Sequence, residues 1–453
     1  MHSFINSLLP ISAFIFLIIL PFNYLLNYKF SFKYSLLLTF IFFSAFSFII
    51  LVSYHLLSIW VVIIFYVFIY LSILRNKKYH RNFNSKFILD ISIIILATCL
   101  LWFLLFYKNY LIGNIESDIM FQVGFVNELK HSLIPKNPHW FDNEPIHYHI
   151  LTHYNWAALS LFTNVPSVSI VFLTSNVIIC FSIILLIYFF LGPNRYAGIL
   201  ILFLFIFYQH SENYDYLLAV KKNMSGHNAG SFFWSLPLFI GSLFLYKEYD
   251  KYRNNIISKP AIYKYLEIII FGLIFPLLIF YSKSNFLLFF VSAEILFLLR
   301  ALYNNLGSKV SKIRYILSYS PFFITTLLIY LILPYEDSSW YGVAFIDFSG
   351  LNTMKFETFH SIYNSSLVFA NFNEYLQSLL YSIISIYLFT FIMMILFKSR
   401  VNSTSVIFLI SGFASYAYSL ILNHPGNSDL YFVGNALIVN MIICQILMKK
   451  NDI

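Results

Sequence analysis

Charge is what this chain has least of. Asp, Glu, Lys and Arg make up 10% of its 453 residues, against about a quarter in a soluble domain, while 60% are hydrophobic. That scarcity excludes a water-soluble globule, because no soluble core could absorb so much apolar surface. Cysteine is nearly absent as well. Cys99, Cys180 and Cys444 all lie inside apolar runs without paired spacing, which argues against a disulfide framework or a zinc site and leaves packing as their expected role. No His-Glu-x-x-His pattern occurs, so the usual signature of a zinc hydrolase is missing. The first apolar run, Phe4 to Leu26, lacks the basic flank and small-residue cleavage site of a secretory signal and is longer than a typical signal core. It is expected to be retained as a helix. No repeat of fixed period and no soluble domain interrupt the chain.

What is present is apolar runs, several of them near the roughly 20 residues needed to cross hydrocarbon and without the one-sided pattern of a surface helix. The fold class expected is all-α, a single polytopic transmembrane bundle over 1–453. Reading the runs between polar breaks gives about 13 spans. Their limits are 4–27, 34–54, 56–74, 87–107, 166–191, 196–209, 231–246, 264–281, 286–303, 315–334, 374–397, 405–423 and 433–448. The 53 Phe and 35 Tyr suit lipid-facing surface and interfacial belts.

Orientation follows from the basic residues, because short loops rich in Lys and Arg stay in the cytoplasm. Alternate loops hold 21 of the 28 basic residues, all seven Arg among them, with Arg253 counted in the loop before the eighth span. The opposite loops hold only Lys108, Lys130, Lys136, Lys221, Lys222, Lys283 and Lys355. An external N-terminus and a cytoplasmic C-terminus in the plasma (inner) membrane are therefore expected. The net charge of +9 reads as a topology signal and an anchor to anionic lipid, with nucleic acid not expected as a partner. Most acids fall on the external side, in segments 108–165, 210–230 and 335–373.

The segment 108–165 carries the most information. Ser117 to about Lys130 mixes apolar and polar residues as an interfacial helix does, and Asp118 and Gln122 would share a face one turn apart. A Pro-marked turn leads to His147, Tyr148, His149 and His153, and Leu151 to Thr163 reads as a second interfacial helix. The pair Glu116-x-Asp118 has two direct chemical uses. One carboxylate can take a proton from an attacking hydroxyl, or both can hold a divalent cation, magnesium or manganese, that balances a phosphate leaving group. The bland alternative is a pair of solvated acids favoured by the start of a helix. The histidines suit hydrogen bonds to sugar or phosphate oxygens, and a metal-binding role ranks below that one.

The order Asp118-x-x-Phe121, Glu128-Leu-Lys130, Pro135-x-Asn137-Pro138 and Glu144-Pro-x-His-Tyr148-His149 resembles the first large external loop of bacterial GT-C-type membrane glycosyltransferases. The resemblance covers about 50 residues. It implies a polyprenyl-phosphate-linked sugar donor and an active site at the outer membrane–water interface, with Glu116-Ser-Asp118 matching a modified Asp-x-Asp motif. Two features depart from that pattern. Gln122 stands where such loops often have His, and three or four spans precede the motif instead of one.

Other polar clusters fall on the same side. Lys221-Lys222, followed by Ser225-Gly226-His227-Asn228, combines cations with flexible N–H donors suited to phosphate or pyrophosphate, although a lysine pair beside a membrane equally meets lipid headgroups. Lys283 sits between two apolar spans, where an ammonium is costly unless paired. His424, Asn427, Asp429 and Tyr431 follow a Pro425-Gly426 turn and could line a sugar site. Glu294, inside the ninth span, is the acid expected to be most buried, paired within the bundle or neutral, with proton coupling ranked below both.

The expected function is inverting transfer of a sugar to a glycan or lipid-linked hydroxyl acceptor, in surface polysaccharide assembly. Asp118 is the expected base or metal ligand, assisted by Glu116; Lys221, Lys222 or Lys283 would meet the phosphate, His147, His149 and His153 would position donor or acceptor, and Gln122, Tyr148 and His227 are further candidates for binding substrate. A polymerase of lipid-linked repeat units is the second reading, and would need Lys in place of external Arg. A transporter of lipid-linked glycan is the third, hinted at by Glu294 and Lys283.

Overall fold

The computed structural model describes residues 2–28, 30–76, 92–103, 117–133, 150–191, 199, 230–258, 262–282, 284–304, 309–332, 387–421 and 430–448. Every regular element among them is helical. The helices are α1 (His2–Ala13), α2 (Leu20–Asn27), α3 (Phe32–Leu56), α4 (Ile59–Arg75), α5 (Ser92–Phe103), α6 (Ser117–His131), α7 (Leu151–Thr163), α8 (Ser175–Leu191), α9 (Gly230–Ser258), α10 (Ile262–Ser282), α11 (Ser284–Asn304), α12 (Lys309–Ile332), α13 (Tyr387–Leu396), α14 (Ser403–Ile421) and α15 (Leu430–Met448). A π-helical turn at Phe14–Ile19 joins α1 to α2, and another at Ile170–Thr174 leads into α8.

Four stretches, Leu8–Asn27, Ser35–Leu56, Ser167–Tyr188 and Phe286–Asn304, are long and apolar enough to cross a membrane. The outer surface agrees with their length. On α4 only Val62, Tyr66, Ile69 and Ile73 are buried, a seam at helical spacing, while Trp60, Ile64, Phe68 and Leu74 are each about two-thirds exposed or more. On α12 Ile313, Ile316, Leu317, Leu327 and Leu331 are each half exposed or more. Water does not tolerate contiguous apolar surface on this scale, and hydrocarbon does. These are the helices and the outer surface of a membrane protein.

The chain packs as two compact units, Met1–Phe190 with Asn223–Ser242, and Leu191–Lys222 with Leu243–Ile453. In the first, α3 lies against α2, α4 and α7. Gly241 of α9 gives close approach to Ile41, whose Cγ1 would stand 2.8 Å from an added Cβ. In the second, α10 packs on α12, and α14 packs on α11 and α15. Gly272 of α10 meets backbone-fixed atoms there: an added Cβ would lie 2.9 Å from Pro321 Cβ and 3.2 Å from Phe322 N. Small residues at such crossings let helices approach where the solvent supplies no hydrophobic drive.

Several hydroxyls inside apolar helices are satisfied locally. The hydroxyls of Thr39, Thr98, Ser182, Thr326 and Ser411 each donate to the carbonyl four residues earlier, at 2.7–2.9 Å. Prolines need more, because each removes an N–H and strands a carbonyl one turn back. Pro321 strands Leu317, and Ser320 Oγ donates to that carbonyl at 3.0 Å. Pro21 follows the first π-turn, where Leu20 N–H donates to Ile15 O, so the carbonyls of Phe16 and Leu17 lose their regular partners. Two tyrosines one turn apart on α4 supply them. Tyr66 Oη donates to Leu17 O at 2.6 Å and Tyr70 Oη to Phe16 O.

Removing the buried hydroxyl by Tyr66→Phe should destabilise the protein by about 1–3 kcal/mol, the cost of an orphaned acceptor. The same change in a Pro21→Ala background, which restores an N–H, should cost clearly less. Thermal unfolding in detergent measures both, and equal losses in the two backgrounds would break the link between Pro21 and Tyr66.

Candidate functional site

Two polar centres stand out, one in each unit. The first is built on α6 and α7. Helix α6 buries Gln122, Val123, Phe125, Val126 and Leu129 on one face, spaced as a helix spaces a buried stripe. Helix α7 behaves differently from the interfacial helix its sequence suggests. All ten residues from Leu151 to Ser160 are buried, because α1, α3, α6 and the π-turn before α8 surround it. Its end is firmly marked. Asn164 takes the left-handed conformation at φ 54°, which Asn tolerates better than most residues, Pro166 follows, and Ser160 Oγ donates to Val165 O at 2.7 Å.

Enclosure obliges the polar residues of α7 to find partners inside the protein. His153 is fully buried, and its Nε2 lies 3.1 Å from Oε1 of Gln122 on α6. Since a carbonyl oxygen only accepts, Nε2 carries the proton. The ring is held between Phe125, with centroids 5.3 Å apart, and Trp156, edge-on at 5.0 Å. Ser47 of α3 donates to Asn155 Oδ1 at 2.8 Å. Helix α6 is pinned along its length as well. Ser167 Oγ donates to Asn127 Oδ1 at 2.7 Å, His55 Nε2 of α3 contacts Leu129 O at 3.3 Å, and Tyr154 Oη donates to Leu133 O at 2.6 Å. Burial pushes the Tyr154 phenol up to about 12, which keeps it a donor at neutral pH.

Of the residues singled out in the sequence, the structure brings Gln122 and His153 together. Asp118 belongs to α6 one turn before Gln122, about 6 Å back along the axis, and Tyr431 belongs to the first turn of α15; the side chains of both lie outside the described set. Glu116, His147, Tyr148, His149, Lys221, Lys222, His227, Lys283, His424 and Asn427 lie outside the described residues. Among the described residues no three His, Cys, Asp or Glu side chains converge as a metal site. Sequence reasoning missed Ser47, Asn127, Asn155 and Ser167. Their signal was weak, since small polar residues in apolar helices usually bond their own backbone.

The second centre surrounds Arg253, which belongs to no loop. Helix α9 continues to Ser258, a dozen residues past the span read from the sequence, and Arg253 lies fully buried on it. Its Nη1 donates to Glu294 Oε1 at 2.6 Å and its Nη2 to Oε2 at 3.2 Å. The guanidinium sits 3.5 Å over the Tyr319 ring, a close cation–π contact. Asp250 lies 3.6 Å from Arg253 and also accepts from Arg300, which donates to Ser403 of α14 at 2.7 Å. Glu294, Arg253, Asp250 and Arg300 thus alternate in sign and sum to zero. This pairing is what lets Glu294 sit inside an apolar helix, and it takes Arg253 out of contact with lipid phosphates.

Breaking the pair from one side, by Glu294→Gln or Arg253→Gln, should cost about 3–5 kcal/mol, whereas Glu294→Leu with Arg253→Met should recover much of that loss. Unfolding midpoints of the singles and the double decide this, and a double as unstable as the two singles added together would mean the charges do not depend on each other. No family model, curated protein or solved structure matches the chain, so the work of both centres is argued from their residues.

Proposed function

We propose that the protein is a membrane glycosyltransferase that moves a sugar from a polyprenyl-phosphate-linked donor to a hydroxyl of a glycan or lipid-linked acceptor at the external face, in surface polysaccharide assembly. The basic-residue pattern orients the chain with its N-terminus outside and its C-terminus in the cytoplasm, which puts segment 108–165 on the side where such acceptors are built. The observation that carries the reading is α6. An acid of the Glu116-x-Asp118 pair begins a helix that is hydrogen-bonded to three neighbouring elements, so a base at position 118 is held on a rigid support.

The reaction asks little more than positioning and charge balance. Asp118 takes the proton as the acceptor hydroxyl attacks the anomeric carbon. The new C–O bond forms on one face while the bond to the phosphate breaks on the other, its electron pair leaving with polyprenyl phosphate. Lys221, Lys222 or Lys283 neutralises that phosphate, and His147, Tyr148, His149 and His227 hold donor or acceptor together with His424, Asn427 and Tyr431. Glu116 and Asp118 are also the residues that would hold magnesium or manganese, whose charge would balance the leaving phosphate. The lipid tail explains why a transferase is embedded in the membrane. The pairing of Glu294 with Arg253 favours an enzyme over a transporter, since the carboxylate that hinted at proton coupling is already bound.

Vesicles containing the wild type should transfer radiolabelled sugar from a polyprenyl-phosphate donor, and Asp118→Asn should lower the rate by about 10²-fold or more at matched expression and folding. Product size separates single-sugar transfer from polymerisation of repeat units. Wild type that transfers nothing from a panel including pyrophosphate-linked donors would overturn the reading, and full activity in Asp118→Asn would remove that residue from its centre.

A further inference from the structure

The hydrogen bond between His153 and Gln122 does more than join two helices. Because Oε1 of Gln122 accepts from His153, the orientation of the amide is fixed, and its two N–H bonds are committed to the opposite side. His153 cannot itself reach a substrate from where it sits, fully buried between Phe125 and Trp156. Gln122 is 5% exposed, and among the described residues its amide nitrogen meets no protein acceptor. The helix thus carries, one turn after Asp118, a preset pair of donors with no acceptor among the described residues.

We infer that Gln122 is an acceptor-binding residue that donates to an oxygen of a polyhydroxylated acceptor, and that His153 is the positioning residue that sets its amide. The inference rests on the glycosyltransferase reading. In an inverting displacement the base and the leaving phosphate lie on opposite faces of the anomeric carbon. A donor one turn from the base is therefore on the acceptor's side, and the oxygen it meets is a neighbouring hydroxyl or ring oxygen of the acceptor instead of the phosphate. Preset donors of this kind favour the bound geometry without reorganising at the moment of reaction.

Kinetics with separately varied donor and acceptor test this. Gln122→Leu should raise the KM for acceptor about tenfold, the scale of one lost hydrogen bond, and leave the KM for lipid donor unchanged. His153→Ala should reproduce that signature, the double variant should be no worse than Gln122→Leu, and His153→Gln, whose amide keeps a donor for Oε1, should restore most of the acceptor affinity. Thermal unfolding of each variant in detergent controls for folding, and His153→Gln carries the test where His153→Ala is unstable. A changed donor KM, additive effects of the two single variants, or no rescue by His153→Gln in a folded protein overturns the inference alone. Absence of transfer by the wild type from every donor overturns it together with the reading on which it rests.

Discussion

A backbone carbonyl facing hydrocarbon without a donor costs several kcal/mol, and much of what distinguishes this chain from a generic bundle of apolar helices is the way such groups are answered. Ordinary residues answer through the helix itself, and serines and threonines fold back on the turn below. Where proline removes a donor, the answer comes from a neighbouring residue, as Ser320 does for Leu317, or from another helix, as Tyr66 does for Leu17. The same rule governs side chains. Glu294 is admitted to the interior because Arg253 comes with it, and His153 because Gln122 does.

These two answers differ in kind. The Arg253 centre is closed: its four charges cancel, an aromatic ring covers the guanidinium, and its terminal member reaches a serine. A network of that type holds helices in register. The α6 centre is a set of neutral hydrogen bonds. Its hydrogen bonds hold α6 from α3, α7 and Ser167, and the first turn of that helix carries Asp118, which the sequence marks for chemistry.

That the chain is helical and apolar was legible in the sequence because length and apolar runs decide it; of the 13 spans read there, four described stretches are long and apolar enough to cross a membrane, and the spans 196–209 and 374–397 lie largely outside the described residues. Leu151–Thr163 and Gly230–Ser258 show where that legibility stops. The first was readable as a helix, but its enclosure was not, since burial on all sides depends on α1, α3 and α6 arriving around it, and Trp156 and Asn155 look the same in sequence whether they face lipid, water or protein. The second was cut short at its charged tail, because Lys247, Asp250 and Arg253 carry the composition of a cytoplasmic loop. What the sequence could not display is the match between Arg253 and Glu294, 41 residues apart. The Gln122 and His153 pair was half visible. Both residues stood out by type and position, and only the packing of α6 on α7 makes them partners.

The tyrosines of α4 have a consequence for how the protein is made. The first apolar helix contains Pro21, and the donors that complete it lie 49 and 54 residues further on. While the ribosome is still delivering α3, that helix has two bare carbonyls in the bilayer, and only the arrival of α4 closes them. Its final seating is therefore a late event in its own insertion, and the first four helices mature together, not one after another.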